Sequence, residues 1–168
     1  MRGCGARRCG NNRRVLQPDS DSLAFRFALR VYWEDTDAGG VVFYANYLKF
    51  FERARTEWLR SLGHEQERLR HETGTVFIVT DTTVHYRRPA RLDDMLAVTV
   101  HVKHAGRAQM TIVQQAWRQL PGREELVAEG TIRIACVDSG TFKPQRIPTA
   151  IVDSLTSMPL AHDTTRVH

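Results

Sequence analysis

The stretch WEDTDAGGVVFYANYLKFF, residues 33–51, joins a predicted strand to the longest predicted helix of the chain. Upstream, FRFALRVYW has apolar side chains at every second position, which is the period of a half-buried strand. From Tyr47 onward the apolar residues recur every three or four positions, and Gly63 then offers a typical helix end. The pattern therefore predicts a strand over residues 25–33 and a helix over about residues 45–62.

The predicted helix has one apolar and one charged face. Its apolar positions are Tyr47, Phe50, Phe51, Ala54, Trp58 and Leu62. Its charged positions are Lys49, Glu52, Arg53, Glu57 and Arg60. A helix of this kind has to bury its apolar face against a second layer of structure.

Four further strands are predicted beyond a polar connection, residues 64–73, which has a weak helical pattern. Their sequences are TVFIVTDTTVHY (75–86), MLAVTVHVKH (95–104), MTIVQQAW (110–117) and LVAEGTIRIACVD (126–138). Short connections between them favour antiparallel pairing. A long central helix wrapped by a five-stranded antiparallel sheet is the hotdog fold, so the predicted class is α+β.

The charge distribution predicts one domain with two extensions. Five of the 24 basic residues are arginines within the first fourteen positions, and 19 acidic residues match the others. This balance argues against a nucleic-acid partner. We expect a disordered basic leader over residues 1–22, a hotdog domain over 23–155 and a flexible tail over 156–168. A translation start at Val15 or Leu16 is a further hypothesis for the leader.

Several classes of site lack support in the sequence. The seven histidines and three cysteines form no metal-binding pattern, so no metal site is predicted. There is no Gly-x-Ser-x-Gly elbow and no Walker loop. No apolar run reaches the ~18 residues that a membrane span requires, and no secretory signal is recognisable, so the predicted location is the cytoplasm.

Two aspartates, Asp35 and Asp37, precede the predicted helix start. A carboxylate can attack a carbonyl carbon or activate water, and the free N–H groups of a helix N-terminus can stabilise an oxyanion. Gly39 and Gly40 would allow the backbone to turn closely around a ligand. Spacing alone leaves both aspartates as catalytic candidates, and both could instead be acids that hold a turn.

At this point the motifs carry a family resemblance. The run Y-x-E-D-T-D-A-G-G-V-V-x-Y-x-N-Y, followed by F-F-E-R-A-R-T-E and later by A-C-V-D-x-G-x-x-K-P, resembles hotdog acyl-CoA thioesterases of the 4-hydroxybenzoyl-CoA type. It is especially similar to their Tol-Pal-associated branch, over about residues 25–150. One departure is Tyr44, where that branch often has His. The chain resembles the hydroxybenzoyl enzymes there.

The resemblance implies hydrolysis of acyl-CoA to a free acid and coenzyme A, with no cofactor. Asp37 aligns with the catalytic carboxylate, and the backbone N–H of Tyr44 aligns with the group that polarises the thioester carbonyl. In the family these two groups come from different subunits, which implies a homodimer or tetramer. Asp35 is then a structural acid. Direct attack by Asp37 and water activation stay open, and the Tyr44 side chain could simply be a pocket wall.

The predicted substrate-binding residues form two groups. Gly40, Val42 and Asn46 surround the helix start, and Arg107, Lys143 and Arg146 are basic residues for the phosphates of coenzyme A. Each of these cations could instead be a solvated surface charge.

Two rival functions are compatible with the same fold. One is a hotdog hydratase or dehydratase, whose chemistry favours a histidine near the helix start. The other is a non-catalytic protein that binds acyl-CoA, or an acyl carrier protein, as a partner of the Tol-Pal system. Tyr44 near the helix start argues against the first, and Asp37 argues for hydrolysis over the second.

Overall fold

The computed structural model describes residues 25–156, which contain five strands and three α-helices. In chain order these are β1 (Phe25–Arg30), α1 (Asn46–Ser61), α2 (Gln66–Thr73), β2 (Thr75–Tyr86), β3 (Met95–Ala105), β4 (Gln109–Leu120), β5 (Arg123–Asp138) and α3 (Thr149–Thr156). A 3-10 turn, Trp33–Asp35, follows β1. The predicted leader, its start-site hypothesis and residues 157–168 of the predicted tail lie outside the described residues.

The five strands form one sheet in the order β1-β3-β4-β5-β2, and every neighbouring pair is antiparallel. The prediction of a five-stranded antiparallel sheet in an α+β fold is confirmed. The strands β1 and β2 lie at the two edges. In β2 the register with β5 shifts between Val79 and Asp81, so the side chains that face the core change parity along this strand.

The apolar face of α1 packs on the inner face of the sheet, as the helical spacing predicts. Five of the six predicted positions are buried, namely Tyr47, Phe50, Phe51, Ala54 and Trp58, and Leu62 packs against them. Gly63 follows the helix with φ +86°, the left-handed conformation expected at that point. The sheet approaches α1 closely at Gly130, where an added Cβ would lie 2.9 Å from Cε2 of Phe51.

One predicted boundary is wrong. The first strand ends at Arg30, before Tyr32 and Trp33, whose side chains are exposed. The helix α3, which follows Pro148, is absent from the sequence predictions. At its start the carbonyl of Pro148 accepts a hydrogen bond from the N–H of Ile151 at 3.0 Å. Ile151 is fully buried in the core and fastens α3 to the domain.

The close approach at Gly130 predicts a specific stability effect. Replacing Gly130 with Ala should lower the free energy of unfolding by ~1–3 kcal/mol, because the new methyl group collides with the fixed ring of Phe51. Urea denaturation measures this difference. Gly106→Ala is the matched control, since the heavy atom nearest to a Cβ added there is 3.5 Å away. Equal stability of the two variants would contradict the proposed contact.

Candidate active site

The segment between β1 and α1 forms a tight loop that ends beside the helix start. Thr36 and Val42 pair as an isolated antiparallel bridge. Inside this bridge the N–H of Asp37 donates to the carbonyl of Val41 at 2.9 Å, and the N–H of Gly40 donates to the carbonyl of Asp37 at 3.0 Å. Gly40 has φ +71°, which residues with a side chain rarely adopt, so glycine is needed to close the loop.

Asp35 holds this loop in place. Its side chain is 3% exposed, and its Oδ2 accepts a hydrogen bond from the N–H of Tyr32 at 2.9 Å. Its carbonyl accepts from the N–H of Phe43 at 2.8 Å and from Nδ2 of Asn46 at 3.0 Å. These hydrogen bonds support a structural role for Asp35. The buried amide of Asn46 donates to the loop backbone.

Asp37 has a different environment, although it is only two residues away. Its side chain is exposed, and its Oδ1 accepts a hydrogen bond from the N–H of Gly39 at 2.8 Å. A Cβ on Gly39 would lie 3.1 Å from the same oxygen, so glycine permits this close approach. Within residues 25–156 the Asp37 carboxylate has no other hydrogen bond and no ion pair. It is oriented yet accessible to a ligand.

Tyr44 lies two residues before α1, which has no side-chain cap. Across the described part of the chain, no oxygen accepts a hydrogen bond from the Tyr44 N–H. The Tyr44 carbonyl, by contrast, accepts a hydrogen bond from the hydroxyl of Tyr86 at 3.1 Å. Burial raises the pKa of the Tyr86 hydroxyl, with Tyr44 as a second cause. Tyr44 thus has a fixed carbonyl and an available N–H.

The remaining residues near the helix start are placed by backbone contacts. The side chain of Val42 is buried, and its N–H donates to the carbonyl of Ala90 at 2.8 Å. Around the same helix start, the ring of Tyr86 contacts those of Tyr44 and Tyr47, with centroids 6.4 and 5.6 Å apart. Aromatic and backbone groups therefore line this end of the domain.

The predicted basic group lies at the opposite end of the sheet. Arg107 occupies the turn from β3 to β4, and its carbonyl accepts a hydrogen bond from the N–H of Ile147 at 2.9 Å. That contact brings Arg107 close to the segment that contains Lys143 and Arg146. The Asp37 loop follows the other end, where Arg30 of β1 pairs with Met95 of β3. The length of β3 separates the two groups by about 30 Å in one protomer.

One polar contact of the inner layer is absent from the sequence predictions. Gln114 is fully buried on β4; its Nε2 donates to the carbonyl of Phe51 at 3.0 Å, and its Oε1 accepts from Nη1 of Arg55 at 2.7 Å. Burial lowers the pKa of Arg55. A cavity of about 130 Å³ beside Arg55 is also lined by Phe77 and Val79. The sequence feature that could have revealed these contacts is a polar residue, Gln114, at an inward-facing position of β4.

Comparison with known proteins shows the family. The model of the family described as "Thioesterase-like superfamily" matches residues 31–155. The chain belongs to this superfamily. A crystal structure of a probable thioesterase from Bartonella henselae is 31% identical, with a TM-score of 0.68 over 74% of this chain and 99% of that chain. The predicted hotdog fold and the predicted class of enzyme, a thioester hydrolase, are confirmed.

Curated relatives point to the same enzyme class. The acyl-CoA thioesterase YbgC of Haemophilus influenzae is 43% identical over 124 residues, covering 74% of this chain and 88% of that protein. The acyl-CoA thioester hydrolase YbgC of Escherichia coli O157:H7 is 41% identical over 132 residues, covering 79% and 96%. A mutant 4-hydroxybenzoyl-CoA thioesterase solved with its 4-hydroxybenzoyl-CoA ligand shares the fold, with a TM-score of 0.74 at 18% identity over 79% and 99%.

Two features are absent from residues 25–156. No helix in this range has the length and apolar character to cross a membrane. No group of three or more His, Cys, Asp or Glu side chains in the same range is arranged to hold a metal ion.

The two aspartates should respond differently to substitution. Asp35→Ala should lower the free energy of unfolding by about 1–3 kcal/mol, because the N–H of Tyr32 loses the buried carboxylate that accepts its hydrogen bond. Asp37→Ala, the matched control, should change it by less than ~0.5 kcal/mol, because that carboxylate is exposed. Urea denaturation of both variants checks the assignment. A larger loss for Asp37→Ala would mean that the roles are reversed.

Proposed function

We propose that this chain hydrolyses acyl-CoA thioesters to a free acid and coenzyme A, with Asp37 as the catalytic carboxylate. The observation that carries the proposal is the exposed Asp37 carboxylate, which the N–H of Gly39 orients at 2.8 Å on the loop that leads into α1. The curated relatives named acyl-CoA thioesterases support acyl-CoA as the substrate. No metal or organic cofactor takes part in the proposed reaction.

Two routes use the same carboxylate. Asp37 can attack the thioester carbon, which releases the coenzyme A thiolate and leaves a mixed anhydride for water to hydrolyse. It can also accept a proton from a water molecule that attacks the thioester carbon directly. Solvent oxygen in the Asp37 carboxylate after a single turnover would identify direct attack. Water that attacks the acyl carbon of the anhydride leaves no label in Asp37, so trapping of an acyl-Asp37 intermediate is the complementary test for direct attack.

The Tyr44 N–H is the proposed donor to the developing oxyanion. The N-terminus of α1 adds a positive partial charge at this point, and neither feature needs a cationic side chain. The hydroxyl of Tyr86 holds the neighbouring carbonyl at 3.1 Å and keeps the Tyr44 backbone fixed. A donor that is already oriented needs little reorganisation when the oxyanion forms.

The proposed active enzyme is a homo-oligomer with its active sites between subunits. The strand β2 is an edge of the sheet, and Val79 and Tyr86 on it are about half exposed. An unpaired edge of this length is a template for pairing with another chain. Antiparallel pairing of two β2 strands would place the Arg107 end of one protomer beside the Asp37 end of its partner. A complete site would then combine the basic residues of one protomer with Asp37 and the Tyr44 N–H of its partner, whereas the family resemblance implies that Asp37 and the Tyr44 N–H come from different subunits.

The finer assignments follow the family resemblance. We place the chain in the Tol-Pal-associated branch of the 4-hydroxybenzoyl-CoA type, acting in the cytoplasm. Gly40, Val42 and Asn46 line the thioester end of the site, whereas Arg107, Lys143 and Arg146 bind the phosphates. An acyl carrier protein is the second candidate thioester donor. A panel of aliphatic and aromatic acyl-CoA esters, read by thiol release, would define the acyl preference.

The catalytic assignment predicts a rate effect without a binding effect. Asp37→Asn should lower kcat by ~10²–10⁴-fold, because the amide neither attacks the thioester nor accepts a proton. The affinity for an acyl-CoA ester should stay within about twofold, since the shape of the side chain is preserved. Thiol-release kinetics and calorimetry measure the two quantities. An unchanged kcat would refute the role of Asp37.

The shared site predicts complementation between two inactive variants. Asp37→Asn and Arg107→Glu, co-expressed with different tags, should form mixed dimers in which one of two sites has both native residues. Random mixing should restore about a quarter of the wild-type rate. The matched control is Asp37→Asn mixed with Asp37→Ala, where no native site can form. Failure of the first mixture to exceed this control would place both groups of a site in one protomer.

A further inference from the structure

Phe142 has an unusual environment in the loop between β5 and α3. Its φ is 56°, in the left-handed region that bulky residues seldom adopt, and its side chain is 62% exposed. A single exposed apolar residue is ordinary on a protein surface. An exposed aromatic residue on a strained backbone is not, because neither burial nor conformational preference favours it. Such outliers tend to persist where a ligand uses them.

The loop around Phe142 is held by hydrogen bonds to one residue. The N–H of Phe142 donates to the carbonyl of Asp138 at 2.8 Å, and the N–H of Asp138 donates to the carbonyl of Lys143 at 2.9 Å. The Oδ1 of Asp138 accepts from the N–H and the hydroxyl of Thr141, both at 2.8 Å. The exposed ring therefore projects from a defined backbone, which reduces the entropy lost when a ligand packs against it.

Three cations lie on the segment that contains Phe142 or on the turn joined to that segment. Lys143 follows Phe142 directly and Arg146 lies three residues further on. The hydrogen bond from the N–H of Ile147 to the carbonyl of Arg107 joins the same segment to the turn between β3 and β4. All three cations are exposed. This end of the sheet thus offers one aromatic face together with three positive charges.

We propose that Phe142 is a stacking platform for the adenine base of coenzyme A, beside the phosphates that Arg107, Lys143 and Arg146 bind. The inference rests on the proposed function, and it adds a base-binding residue that distinguishes nucleotide thioesters from shorter ones. A purine offers a flat π face to an aromatic ring, while its phosphates need nearby cations. The platform lies at the end of the sheet opposite Asp37, so it serves the site completed by the partner subunit's loop.

The experiment compares two thioesters with the same acyl group, an acyl-CoA and an acyl-pantetheine that lacks the nucleotide. Phe142→Asn removes the ring and keeps a residue that tolerates the left-handed backbone. We expect its KM for the acyl-CoA to rise roughly 5- to 50-fold with unchanged kcat, and its KM for the acyl-pantetheine to stay unchanged. Phe142→Tyr, the matched control, keeps the ring and should behave as the wild type.

A structural role for Phe142 would produce a different result. Loss of a packing residue would lower the thermal midpoint and affect both substrates, whereas Phe142→Asn should be at least as stable as the wild type because strain is relieved. Equal KM values for wild type and Phe142→Asn with the acyl-CoA would overturn the inference. An equal rise with both substrates would also overturn it.

Direct binding separates this inference from the proposed reaction. Adenosine 3′,5′-bisphosphate, titrated into the full chain by calorimetry, should bind the wild type and Phe142→Tyr and bind Phe142→Asn roughly 5- to 50-fold more weakly. If the wild type binds this nucleotide but releases no thiol from any acyl-CoA, the proposed hydrolysis fails and the platform stands. If all three proteins bind it equally, the platform fails whatever the hydrolysis rate.

Discussion

Burial of the aromatic face of α1 against the inner face of the sheet is the interaction on which the other features of this domain depend. Phe50 and Phe51 are fully buried, and each contributes about 1.5–3 kcal/mol through removal of apolar surface from water. An isolated helix of 16 residues would be marginal in water. Packing therefore stabilises the helix and places its N-terminus beside the loop that follows β1. This apolar contact therefore determines the position of the reactive end of the site.

The second constraint is that backbone polar groups need hydrogen-bond partners. This constraint gives two neighbouring aspartates different roles. The loop between β1 and α1 needs partners for its backbone polar groups: Asp35 accepts from the N–H of Tyr32, and Asn46 donates to two loop carbonyls. With these groups paired by Asp35 and Asn46, Asp37 has no structural partner beyond the N–H of Gly39. A single Asp-x-Asp motif thus contains one residue that builds the loop and one that remains available to a substrate.

Local pattern predicts much of the fold, because burial imposes a period of two on strands and 3.6 on helices. The alternation in β1 and the helical spacing from Tyr47 to Trp58 both agree with the structure. Local pattern does not predict contacts between distant parts of the chain. The pairing of Arg55 with Gln114, 59 residues apart, and of Tyr86 with the Tyr44 carbonyl, 42 residues apart, arises only when the sheet brings them together. α3 is too short for periodicity to reveal it.

Sequence motifs could not predict the distance between Asp37 and the basic residues, because the topology of the sheet sets that distance. A carboxylate beside Arg107 would form an ion pair, lose nucleophilic character and occupy the donors that phosphates require. About 30 Å of strand, well beyond a Debye length of ~8 Å, prevents this within one protomer. A long substrate with charged phosphates at one end and a thioester at the other can use both groups without their neutralising each other. Antiparallel assembly through β2 would bring the Arg107 end of one protomer to the Asp37 end of its partner, with the pantetheine part of the substrate extending between the two groups.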